Sequence, residues 1–197
     1  ARVAATVADV RDPDALAVAL GSARERLGPV SVLVCGAAGN FPCPADELSP
    51  NGFKSVVDID LLGSFNACRA ALPQLQETRG SILFVSAGQA SVPYFAQAHV
   101  GAAKAGVDQL MRTLALEWGR FGIRCNSIVP GPIEGTEGMR RLVPESEQVH
   151  DRLRSAIPLG RYGSVDDIGA AAVFLASPLA AYVTGTVLVV DGGQNLA

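Results

Sequence analysis

Short apolar runs alternate along this chain with stretches of helical period, and no other feature restricts its fold as strongly. A strand, a helix and another strand in repeated succession need parallel neighbours joined by crossover helices. The expected strands are Val3–Ala8, Val30–Val34, Ser81–Ser86, Arg124–Val129 and Thr186–Val190, with Val30–Val34 buried on both faces. Asp12-Pro13 supplies an N-cap and a first-turn proline to a helix carrying Leu16, Leu20, Ala23 and Leu27 on one face and stopping at Gly28. Ser49-Pro50 opens a long helix to about Leu72. A third helix, Val100–Gly119, has Val107, Leu110, Met111, Leu114 and Trp118 as its apolar stripe. Ser164-Val165-Asp166-Asp167 reads as a capping box before a helix ending near Ala176. The fold class is therefore α/β, a doubly wound parallel sheet.

Composition narrows the function. A chain of 197 residues with 49% hydrophobic side chains suits one domain, 1–197, with a substantial core. Net charge is −3 and no basic block runs through the sequence, which speaks against a nucleic-acid partner. No apolar run reaches the ~18 residues of a bilayer span, and the first residues lack a secretory leader pattern. The four cysteines have no Cys-x-x-Cys spacing, so free, mostly buried thiols in a reducing compartment are expected, without a metal.

Two charged residues stand on apolar faces. Asp60 has Phe53 and Ala67 seven residues to either side, within roughly 20° of it on an ideal helix, with Val56, Val57 and Gly63 flanking. Asp58 points to the opposite side. A carboxylate on such a face needs a cation, donors or a proton. Lys104 lies at the edge of the Val107/Met111 stripe and is the natural partner. The alternatives are a structural carboxylate bonded to backbone and a lysine snorkelling to solvent. Asp191 follows the last strand, where it either serves a site or caps the turn of Asp191-Gly192-Gly193. No Gly-x-Ser-x-Gly hydrolase elbow occurs.

The longer strings resemble the short-chain dehydrogenase/reductase family. They are Ala37-Ala38-Gly39-Asn40-Phe41 with Cys43-Pro44-Ala45, Asp58-Ile59-Asp60 with Gly63-x-Phe65-Asn66, and Pro130-Gly131-Pro132-Ile133 continuing through Gly135-Thr136-Glu137-Gly138 to Arg140-Arg141-Leu142. That family carries Tyr-x-x-x-Lys at the start of a helix and a Ser thirteen residues before the Tyr. Here the lysine is Lys104, but Val100 holds the Tyr position, Ala87 the Ser position and Asp60 the position of the usual Asn. This substitution pattern resembles the subgroup of peroxisomal-type 2,4-dienoyl-CoA reductases. Cys35-Gly36 departs from the usual Asn-containing pair, and the chain closes on Leu196-Ala197 without a Ser-Lys-Leu address. The location expected from these features is cytoplasmic.

The resemblance implies a Rossmann-type sheet entered at its third strand, lacking the first β-α-β-α unit and its glycine-rich pyrophosphate loop. As it stands, the chain is expected to bind a dinucleotide poorly. For the intact protein the resemblance implies NADPH-dependent reduction of a 2,4-dienoyl-CoA to a 3-enoyl-CoA in unsaturated fatty acid degradation. Asp60, Lys104 and Asp191 would be catalytic. Asp9, Val10, Ala37, Ala38, Gly39, Lys104, Pro130, Gly131, Ile133 and Thr136 would bind the cofactor. Asn40, Phe41, Arg140 and Arg141 would bind the acyl-CoA; the residues themselves favour, for the arginine pair, two solvated side chains on a mobile helix. Helices 50–72 and 100–119 would form a four-helix contact in a homotetramer. Tyr94 lies ten residues before Lys104, too far to replace the absent Tyr. His99 points about 100° away from position 100 and reads as structural or substrate-lining. Other readings are a related reductase of a different activated alkene or acyl thioester, and a non-catalytic nucleotide-binding member.

Overall fold

A computed structural model describes residues 2–196, without the side chain of Leu142; Ala197 lies outside them. Four strands, β1 (Val32–Cys35), β2 (Ser81–Val85), β3 (Arg124–Pro130) and β4 (Val187–Val190), form one parallel sheet in sequence order. Helix α1 (Pro13–Leu27) precedes β1. Helices α2 (Pro50–Val57) and α3 (Gly63–Thr78) join β1 to β2, and α4 (Ala98–Trp118) joins β2 to β3. Helices α5 (Glu137–Leu142), α6 (Glu147–Ser155) and α7 (Val165–Ala176) precede β4.

Period-two alternation divides the strands between two cores. Ile82, Phe84 and Cys125 point to one face, where Cys68 and Leu75 of α3 and Val107 and Met111 of α4 cover them. Leu83 and Ile128 point to the other, against Leu175 of α7. Helices therefore lie on both faces. Because the strand order runs one way, the placement of α7 opposite α3 and α4 gives the last crossover the opposite hand to the two before it.

Capping follows the sequence closely. Asp12 accepts from the backbone of Asp14 and Ala15, Ser49 from Gly52, and Ser164 and Asp167 complete the capping box. All four cysteines are free, and Cys35, Cys68 and Cys125 are buried. Burial pushes the Cys125 thiol up to about 12, which removes thiolate reactivity at neutral pH.

Three expectations need correction. Residues 3–8 form no strand, and Val3 and Val7 are exposed, because strand-like composition stays irregular without a ladder partner. Strand β1 is not buried on both faces: Val32 and Val34 are exposed because no helix covers that side of an edge strand. The long helix runs to Thr78 and contains a π-helical turn, Asp58–Leu62, for which no residue type gives a signal.

Candidate active site

The π-turn places the central carboxylate. An inserted π-turn breaks the seven-residue register, so Phe53 is half-exposed while Val56 and Asp60 are buried. Asp60 is wholly enclosed, at 0% exposure. Its Oδ1 accepts from the Gly39 N–H at 2.7 Å, and its Oδ2 lies 3.1 Å from Lys104 Nζ. The Oδ2 contact is an ion pair without hydrogen-bond alignment, whereas Nζ donates a well-formed bond of 2.9 Å to the Val85 carbonyl at the end of β2. Lys104 is itself 6% exposed. One buried group thus ties the loop after β1, the π-turn, the end of β2 and α4 together. Asp58 turns outward and pairs with Lys54.

The positions expected to carry hydroxyls are apolar in kind and in packing. Val100 is buried against Val56 and Ala103, and Ala87 follows a buried Ser86 whose hydroxyl lacks a partner among the described residues. Next to Val100, His99 is fully enclosed with neither ring nitrogen bonded among the described residues. Its ring lies against Phe41 with centroids 4.4 Å apart. Leaving a buried polar group unpaired costs about 1–3 kcal/mol, and an aromatic pair returns only about 0.5–1.5 kcal/mol. Asn40 Oδ1 and Gln97 Oε1 are also buried without partners. The backbone bond from Cys43 N–H to the Ala96 carbonyl, 2.9 Å, holds these two loops together. Tyr94 is half-exposed on the second loop.

The other expected residues lie around the carboxyl ends of the strands, the place where such sheets bind ligands. Val10 is held there by Asn66, whose amide donates to its carbonyl at 3.1 Å. Gly63 permits the approach, since a Cβ there would meet Val10 at 2.6 Å. Asp9 is held at about 2 by the side chain of Arg11. Gly36, Ala37 and Ala38 leave an exposed, sterically open loop. Gly131 abuts Asp191, where an added Cβ would lie 2.6 Å from the Asp191 Cα. Ile133, Asp191 and Gly131 line one cavity of about 90 Å³ together with Leu159 and Arg161. Both Asp191 oxygens accept backbone N–H groups, from Gly193 and Asn195, at 2.8 Å each. Thr136 caps α5 and donates to the Ile133 carbonyl. Arg140 and Arg141 are exposed and both bind Glu137, whose carboxyl they hold below its ordinary value. Sequence reasoning missed the Gly39 and Val85 backbone contacts, because these depend on chain positions brought together only by folding.

A parallel sheet with helices on both faces and small-residue loops at its carboxyl end is a Rossmann-type scaffold, and the chain belongs to the short-chain dehydrogenase/reductase family. A family model described as "Enoyl-(Acyl carrier protein) reductase" matches residues 1–195. The chain is 51% identical over 188 residues to the peroxisomal 2,4-dienoyl-CoA reductase SPS19 [(3E)-enoyl-CoA-producing] of Saccharomyces cerevisiae, covering 94% of this chain and 63% of that protein. It is 43% identical over 198 residues to a probable 2,4-dienoyl-CoA reductase [(2E)-enoyl-CoA-producing] of Bacillus subtilis, covering 99% and 78%. A gluconate 5-dehydrogenase from Burkholderia cenocepacia, solved with NADP and tartrate, superposes with a TM-score of 0.90 at 31% identity, covering 97% of this chain and 74% of that one. The chain spans less than two thirds of the length of the yeast and rat reductases it matches, at 63% and 64%. No helix among the described residues is long and apolar enough to cross a membrane.

Proposed function

We propose that the protein reduces 2,4-dienoyl-CoA to 3-enoyl-CoA with NADPH. The observation that carries this reading is the enclosed Asp60–Lys104 pair beside Val100 and Ala87. The pair is retained where the phenol and hydroxyl are not. Reduction of a simple ketone makes an alkoxide that needs a proton at oxygen, the usual task of the Tyr. Hydride addition to a dienoyl thioester makes a delocalised dienolate, whose proton goes to carbon.

A bound reduced nicotinamide supplies the hydride. The residues suited to hold it are Asp9, Val10, Ala37, Ala38, Gly39, Pro130, Gly131, Ile133 and Thr136 around the strand ends, together with Lys104. The fit rests on Lys104, whose ammonium gives one hydrogen bond to Val85, pairs by charge with Asp60 and keeps a donor for a ribose hydroxyl. Its charge favours negative charge developing on the thioester. Asp60 acts through Lys104, with Oδ1 accepting from the Gly39 N–H and Oδ2 facing the lysine ammonium. Asp191 follows the end of β4, and a carboxylate held by two N–H groups still has lone pairs to orient a water that protonates Cα. Asn40 and Phe41 border the acyl end. The full-length protein should oxidise NADPH with a 2,4-dienoyl-CoA and turn over a 3-ketoacyl-CoA poorly. Comparable rates on the two would sink this reading.

Arg140 and Arg141 suit the phosphates of CoA, which a guanidinium binds through paired donors. Glu137 holds both side chains at the surface, so a phosphate would compete with one exposed carboxylate. Replacing both arginines with alanine should raise KM for the CoA substrate roughly tenfold, or about 1.4 kcal/mol, and leave NADPH affinity unchanged. The increase should shrink in high salt, where contacts of this kind are screened over ~10 Å at 0.1 M. An unaltered KM at low salt would move the CoA site elsewhere.

A homotetramer accords with the apolar side chains left on the long helices. Phe53, Leu62 and Phe65 on one and Leu116 on α4 are all exposed, and a partner's matching helices would cover them.

A further inference from the structure

His99 is polar where packing asks for an apolar ring. It sits in the first turn of α4, enclosed, with neither ring nitrogen bonded among the described residues and its ring tilted 38° against Phe41. Phenylalanine or leucine would occupy that space without an unsatisfied group, so the stack alone does not account for a histidine. Three contacts put it beside the site. Phe41 lies two residues beyond Gly39, whose N–H holds Asp60. The Cys43–Ala96 bond clamps the Phe41 loop to the lead-in of α4. Val100, the next residue, packs on Val56 in the helix that ends in the Asp60 turn.

The chemistry has an unassigned donor at this place. On the function proposed above, on which the inference rests, a hydride pair forms the new C–H bond at Cδ. The Cγ=Cδ pair becomes Cβ=Cγ, the Cα=Cβ pair joins Cα to the thioester carbon, and the carbonyl pair moves onto oxygen. A reduced nicotinamide would supply that hydride and end oxidised; a proton from solvent, relayed by the water, then goes to Cα, and the carbonyl reforms. The oxygen carries the charge in between, and neither position 87 nor position 100 offers it a hydroxyl. We infer that His99 donates a ring N–H to the thioester oxygen of the bound dienoyl-CoA. Phe41, 37% exposed, is the cover that yields as the acyl group enters. An imidazole carries at least one N–H in either protonation state, and the bond requires no proton transfer from it.

The test uses the full-length protein with oxidised cofactor, so that a 2,4-dienoyl-CoA binds without reacting. Polarising the carbonyl moves the ultraviolet band of the bound dienoyl thioester to longer wavelength. The unaltered protein should show that shift. His99→Phe, which keeps the stack and has no donor, should lose it and lose turnover on the order of 10²–10³-fold, as for a missing oxyanion donor. His99→Gln keeps a donor and should recover part of both. A merely structural histidine would leave the band of a folded variant where it was. A second readout needs no variant. The two histidines of this sequence are His99 and His150, and the ring nitrogen resonances of His99 should move when the dienoyl-CoA binds while those of His150 stay. Unmoved His99 resonances, or a His99→Phe enzyme with normal rate and band shift, overturn the assignment. An unaltered protein that fails to reduce any dienoyl-CoA overturns the functional reading itself, and this inference with it.

Discussion

Asp60→Ala should leave a folded protein that reduces 2,4-dienoyl-CoA about 10²–10⁴-fold more slowly, the loss typical of a removed acid–base group. The reason lies in what the carboxylate holds. With Asp60 gone, Lys104 keeps only the Val85 carbonyl, and the loop at Gly39 loses its anchor. Asp60→Asn separates the two effects. The amide oxygen can still accept from Gly39, but the charge opposite Lys104 is lost. If the ion pair carries the function, the asparagine variant should resemble the alanine variant in turnover and the unaltered protein in cofactor-loop order. Asp58→Ala is the control. Its carboxylate faces solvent and pairs with Lys54 one helical turn away, an arrangement worth about 0.3–0.5 kcal/mol, so its loss should be nearly silent. A folded Asp60→Ala enzyme with normal turnover would falsify the role of this residue in positioning Lys104.

Lys104→Met should be harsher on stability. It leaves a carboxylate at 0% exposure with one N–H for company, and breaking a buried pair from one side costs roughly 3–5 kcal/mol. Thermal or denaturant unfolding reads that cost directly. The double variant Lys104→Met with Asp60→Asn removes both charges and should recover most of the stability, because the desolvation cost of each ion disappears with it. Activity should not return in the double variant, since no cation remains to favour the dienolate. Recovered stability without recovered turnover would separate the structural part of the pair from its chemical part. A double variant as unstable as Lys104→Met alone would show that the two residues are not coupled.

Local physics made much of this molecule legible in its sequence. The caps at Asp12, Ser49 and Ser164, the α4 stripe from Val107 to Trp118 and all four strands follow from propensity, periodicity and turn chemistry, which act over a few residues. The identity of the site also travelled in the sequence, because Lys104 and Asp60 stand out as charges on apolar faces. Tertiary structure alone decided the rest. The π-turn at Asp58–Leu62 changes which neighbours share the Asp60 face, and it lies where the long helix packs against α4, a long-range contact that no local residue preference encodes. Residues 3–8 have a strand's composition but no ladder partner, and Val32 and Val34 face no covering helix, because strand pairing and burial are properties of the neighbours. The partners of Asp60 are a backbone N–H 21 residues away and a lysine on another helix, and the unpaired nitrogens of His99 become anomalous only once folding encloses them. Burial and long-range contact are what turn these ordinary residue types into a candidate site.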